Sequence, residues 1–133
     1  MTKLDIYCDL YQKNVTPLYY QIGECKSKID ILMRDRESRV ELIKSFENRL
    51  NYGIAFDAKM AAKYPEVHKH SAYVDIVTDL SAVIDEQHKK IVEADREIER
   101  LYFKLSDTVK IAKQLEKDYY RLTRDEDYYK LSA

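Results

Sequence analysis

Apolar residues recur along this chain at alternating intervals of four and three. The first half reads Leu4, Cys8, Tyr11, Val15, Leu18, Ile22, Cys25, Ile29, Leu32, Arg36, Arg39, Ile43, Phe46 and Leu50, with twelve of the fourteen positions apolar. The second half reads Tyr73, Val77, Leu80, Ile84, Gln87, Ile91, Ala94, Ile98, Leu101, Leu105, Thr108, Ala112, Leu115, Tyr119 and Leu122, with thirteen of fifteen apolar. A seam of period 3.5 held over six or seven heptads stays on one stripe only when two helices wind around each other. A globular bundle would broaden the stripe toward period 3.6 and lose this register. The pattern predicts an all-α chain of two long helices in an antiparallel coiled-coil hairpin.

Two segments punctuate the pattern. At "NVTPLYY", Thr16 is placed to cap a helix and Pro17 to occupy its first position, so a kink or restart is expected near residue 16. Further on, Gly53 can supply a helix stop and Pro65 a fresh start. These signals set helix one at about 5–52, a connector at 53–65 that can hold a short helix around "AFDAKMAAKY", and helix two at about 66–130. At about 1.5 Å per residue the helices would be roughly 70 and 95 Å long, and the molecule a rod of one domain. Folding back at that connector sets Leu50 opposite Tyr73, Cys25 opposite Ile98 and Leu4 opposite Tyr119. Arg36 then faces Gln87, and Arg39 lies near Ile84, so polar defects in the two seams meet as a register-setting layer. A parallel homodimer would stack Arg36 on Arg36, which favours the monomeric hairpin.

Composition agrees with this picture. Only two glycines and two prolines occur in 133 residues, too few breakers for a many-stranded sheet. Lys plus Arg (23) nearly cancels Asp plus Glu (24), so the basic footprint of a dedicated nucleic-acid binder is missing. There is no run of 18 apolar residues and no signal-peptide pattern, so a cytoplasmic protein without membrane insertion is expected. Cys8 and Cys25, 17 residues apart on one helix, would stand roughly 25 Å apart, too far for a disulfide. Both are expected to be reduced core thiols.

Catalytic signatures are lacking. The glycines stand 30 residues apart, and no nucleophile has an evident base. His68 and His70 form "HKH" in the connector without further ligands at metal spacing, and are expected to be solvated, as is His88. Asp125 and Asp127 are expected to be exposed tail residues. A two-helix rod offers no concave pocket. No enzyme activity, cofactor or metal is therefore expected.

Two surface features point instead to partner contact. Lys110, Lys113, Lys117, Arg121 and Arg124 follow one another at intervals of 3, 4, 4 and 3 on an outward face, and residues 104–124 carry six basic against three acidic side chains. Nearby acids at i,i+4 can lace such a face into a solvated surface. Alternatively, the row docks on an acidic protein surface. Tyr119, Tyr120, Tyr128 and Tyr129 crowd the same end of helix two, with Tyr19 and Tyr20 on helix one. Tyrosine suits interfaces because a large rigid ring is buried while its polar tip stays satisfied.

The run "YVDIVTDLSAVIDEQHKKI" at 73–91 places an aromatic residue, an apolar residue three on, a leucine four further, and then an apolar-acid-Gln close before a long charged helix. It resembles the start of the second helix in the FliJ/YscO family, the coiled-coil stalk proteins of flagellar and other type III secretion export machines. "NYGIA" at 51–55 is similar to the sequence after the first helix in some members. The resemblance covers about 55 residues of helix two, and helix one only as pattern. It implies a non-enzymatic hairpin that docks on a hexameric export ATPase and contacts the export-gate membrane protein. The ATPase contact would fall on Lys110, Lys113, Lys117, Tyr120, Arg121 and Arg124, and the gate contact on Ile76 and Leu80. Ile76 stands where well-studied members have phenylalanine. Other classes compatible with the pattern are a generic coiled-coil adaptor or secretion chaperone, and a phage-type oligomeric helper that binds single-stranded DNA through the Lys110 to Arg124 face.

Overall fold

A computed structural model describes residues 2–68 and 71–132, with side chains at 71–73, 75 and 124–132 excluded from the description. Tyr73, Arg124, Asp125, Asp127, Tyr128 and Tyr129, as well as His70, thus lie outside the described side chains. The protein is an all-α hairpin in which two long helices pack against each other. Helix α1 spans Lys3–Leu10 and leads through a π-helical turn at Tyr11–Val15 into α2, Thr16–Lys63, and α3 spans Ser71–Ser132. The chain divides into two compact units: unit 1 comprises Met1–Ile31 with Ile98–Ala133, and unit 2 comprises Leu32–Glu97.

In unit 1 the two segments run antiparallel around a core of Val15, Ile22, Cys25, Ile29, Ile98, Leu101 and Ala112, all expected seam positions. The Cys25 thiol donates to the Leu101 carbonyl at 3.2 Å, and Asn14 Nδ2 donates to Tyr119 Oη at 3.0 Å. A capping box begins α1. Thr2 Oγ1 accepts the Asp5 N–H and the Asp5 carboxylate accepts the Thr2 N–H. The Thr2 N–H, seconded by the Thr2 hydroxyl, holds the Asp5 carboxyl below its ordinary range.

The restart expected at Thr16 takes a different form. Thr16 has helical rather than capping backbone angles, and its N–H reaches back to the Tyr11 carbonyl across a π-turn. Pro17 explains this: it has no N–H for the Lys13 carbonyl, and its ring would clash with that carbonyl in a regular α-turn. A π-turn widens the helix there by one residue. That extra residue rotates everything upstream by about 100° relative to the downstream seam. Leu4 and Cys8 are therefore turned out to solvent, while Tyr7 and Leu10 become half-buried. Cys8 is an exposed free thiol and not a core residue; only Cys25 fits that expectation.

Unit 2 is built on Ile43, Ile84 and Ile91, flanked by Val40, Phe46 and Leu50. The expected stop at Gly53 and connector at 53–65 are not found. α2 continues to Lys63, and Gly53 has an ordinary helical φ. One glycine inside a helix costs about 1 kcal/mol relative to alanine, and the good helix formers from Ala55 to Ala62 outweigh it. The seam continues at half-buried Gly53, Asp57 and Met60. The helix ends where Tyr64 N–H bonds the Met60 carbonyl, followed by Pro65 and a turn closed by His68 N–H on the Tyr64 carbonyl at 3.0 Å. α3 begins at Ser71, and not near 66.

A later turn slides the pairing. Arg36 does not meet Gln87: its Nε donates to Asp95 at 2.5 Å, while Arg39 Nη1 donates to Gln87 Oε1 and Arg39 Nε to Asp35, both at 2.8 Å. A polar layer is present, with Arg39 rather than Arg36 opposite Gln87. His68 also departs from the solvated loop expected of it. Its Nε2 lies 2.6 Å from the Asp57 carboxylate, with side chains 17% and 15% exposed, so the turn is stapled to the polar seam position of α2. Among the described residues no helix is long and apolar enough to cross a membrane.

Candidate functional site

The rotation upstream of the π-turn shapes the face of unit 1 on which the basic row lies. Tyr7 is turned toward α3, where its ring meets Tyr119 edge-on, with centroids 6.5 Å apart and planes at 89°. Tyr11 follows one turn later, 6.0 Å from Tyr7. Together with Lys113, Glu116, Lys117 and Tyr120 of α3 they line an open groove of about 580 Å³. A concave site was not expected on two helices; it is walled by Tyr7 and Tyr11 on one segment and by Tyr120 with its charged neighbours on α3. A smaller hollow of about 270 Å³, lined by Tyr7, Cys8, Tyr11 and Gln12, adjoins it through the shared tyrosines.

Of the residues singled out from the sequence, Lys113, Lys117 and Tyr120 come together in this groove. Lys110 and Arg121 are exposed on the same helix, and Arg124 lies outside the described side chains. Tyr120 is 61% exposed, whereas its neighbour Tyr119 is half-buried and held by Asn14 and Tyr7. The two adjacent tyrosines thus have different jobs, one in packing and one at the surface. Tyr7, Tyr11 and Glu116 were missed. The signal that could have found Tyr7 is Pro17, once its effect on helix phase is followed upstream; Tyr11 stands at an expected seam position, and nothing in the spacing marks Glu116.

The charges decide what the groove can hold. Two of the three acids expected to lace the basic row are taken elsewhere: Glu116 accepts a short hydrogen bond from Tyr19 Oη, and Asp118 accepts from Gln114 Nε2 at 3.0 Å. Lys110, Lys113, Lys117 and Arg121 form no ion pair among the described residues. The Glu116 bond pushes the Tyr19 phenol up to about 12, with desolvation and the Glu116 charge adding to it. Desolvation, then the Glu116 charge, raises Tyr11 as well. Both phenols are neutral donors throughout the physiological range.

The proposed gate pair separates. Ile76 is 55% exposed, while Leu80 is half-buried in the phase of the seam. Among the described residues no group of three or more His, Cys, Asp or Glu is arranged to hold a metal. The architecture defines the class of the protein as an all-α helical hairpin with a cationic, tyrosine-lined groove on unit 1. No family model, curated protein or solved structure matches the chain.

Proposed function

We propose that this chain is a non-catalytic stalk or adaptor that docks on an acidic surface of a larger protein assembly through the cationic face of unit 1. The observation that carries this reading is the row Lys110, Lys113, Lys117 and Arg121, exposed and without ion pairs among the described residues. Four like charges left on one helix face repel one another, and an acidic partner relieves that repulsion. The FliJ/YscO-like run at 73–91 suggests the assembly: the hexameric ATPase of a type III export machine, with exposed Ile76 offered to the export gate. Leu80 adds less to a gate contact because it serves the seam.

The test mixes the purified chain with the hexameric export ATPase encoded in the same genome and measures complex mass by light scattering, together with nucleotide turnover. A complex of ATPase hexamer and hairpin with altered turnover is expected. Absence of a complex at low salt, where charge-driven association is strongest, would overturn the export-machine assignment.

A further inference from the structure

Resting on the docking reading above, we propose that the groove of unit 1 is a binding site for an acidic protein segment that carries an aromatic side chain, with carboxylates on Lys113 and Lys117 and the ring against Tyr120 and Tyr11. Lys113 and Lys117 are i,i+4 neighbours on α3, so their side chains stand about 6 Å apart at their bases. That spacing matches carboxylates one helical turn apart, or alternate residues of an extended segment. The groove's volume of about 580 Å³ falls in the range of pockets that hold compact ligands. Its tyrosines present ring edges and faces that favour a further aromatic ring in edge-to-face geometry.

Charge distinguishes a protein segment from a nucleic acid strand. Glu116 lines the same groove, and a strand with a phosphate at every nucleotide must place negative charge against it. A peptide can set an uncharged residue there. With the chain's net charge at −1, attraction of anions here comes from the local row rather than from the chain as a whole, which suits a short acidic segment more than a long polyanion.

The experiment measures fluorescence anisotropy of the full chain with three labelled probes: a short Glu-rich peptide with a central Phe, the same peptide with Ala in that place, and an oligothymidine strand of equal length. The Phe peptide is expected to bind roughly three- to tenfold more tightly than the Ala peptide. Tyr120→Ala should erase that preference and Tyr120→Phe should keep it, while Lys113→Glu with Lys117→Glu should abolish binding of both peptides. Circular dichroism checks that each variant keeps its helices. Equal affinity for the two peptides, a preference that survives Tyr120→Ala, or tighter binding of oligothymidine would each overturn the proposal. The outcomes separate the two claims: equal peptide affinities beside a charge-dependent ATPase complex would remove the groove's occupant and leave the docking reading. Phe-selective binding without any ATPase complex would remove the export-machine assignment and leave the groove.

Discussion

Replacing Pro17 by alanine should return the N-terminal helix to its expected phase, and Cys8 reports the change. Alanine supplies an N–H for the Lys13 carbonyl and removes the ring that clashes with it. An interior proline costs about 3 kcal/mol relative to alanine, and that is the drive for the π-turn at Tyr11–Val15 to close into an α-turn. Closure rotates residues 3–10 by about 100° and exchanges one set of seam residues for another. Leu4, now 53% exposed, would bury its remaining half for about 1 kcal/mol, roughly offset by the loss of half-buried Tyr7 and Leu10. The proline effect therefore decides the balance, at about 2 kcal/mol in favour of closure after fraying at the helix end, or roughly 30-fold in population. The assay is time-resolved alkylation with peptide mass spectrometry. In the wild type Cys8 should label quickly and Cys25 slowly, since Cys25 is buried with its thiol on the Leu101 carbonyl. In Pro17→Ala the Cys8 rate should fall at least tenfold while Cys25 is unchanged. A Cys8 rate equal to wild type in a folded variant would refute the reasoning and place the origin of the π-turn in tertiary packing.

Three further outcomes are expected. Ile91→Ala should cost about 2–5 kcal/mol in chemical denaturation, because Ile91 is 8% exposed against Ile43 and Ile84; a loss under about 1 kcal/mol would contradict the assigned core. Tyr19 binds its phenol proton more tightly in the folded chain, so its contribution to stability should be complete below about pH 10 and lost as the pH rises toward about 12. A tyrosinate absorbance titration should show late-ionising phenols, the latest of which Tyr19→Phe removes, and co-ionisation of all tyrosines near pH 10 would contradict the Glu116 bond. His68→Ala should speed amide exchange at 64–68 and destabilise unit 2 by about 1–3 kcal/mol, since it takes the His68 bond from Asp57, a carboxylate only 15% exposed; unchanged exchange would show that the staple does not hold the turn.

Much of the fold could be read directly from residue spacing. From Val15 onward in helix one and from Val77 to Tyr119 in helix two, the expected seam positions are the buried or half-buried ones, because period-3.5 burial is enforced at every turn of both helices. The turn was less legible. Past Leu50 the seam continues on Gly53 and Asp57, two residues that read as a break when only hydrophobicity is followed, and Asp57 qualifies for the seam through His68, eleven residues away. That displaced the expected connector and, with it, the pairing of Arg36 and Gln87. Lys113, Lys117 and Tyr120 were legible because an outward face needs only helical spacing. Tyr7 was not, because its placement depends on a one-residue change of winding at Pro17; Tyr11, half-buried at its expected seam position, was legible as packing but not as a wall of the groove. Nor could spacing show whether Glu116 would answer a lysine or a tyrosine; the choice depends on Tyr19 lying across from it on the other helix.

The central claim is that Lys110, Lys113, Lys117 and Arg121, which form no ion pair among the described residues, carry the docking contact. Its most direct test is the affinity of the export ATPase hexamer for the wild-type chain and for Lys117→Glu with Arg121→Glu, titrated at low and at physiological salt. Both residues are exposed and outside the core, so the double variant should fold normally. The account predicts wild-type binding that weakens with salt and at least a tenfold loss of affinity on charge reversal. Equal affinity of the two chains, with no dependence on salt, would contradict it.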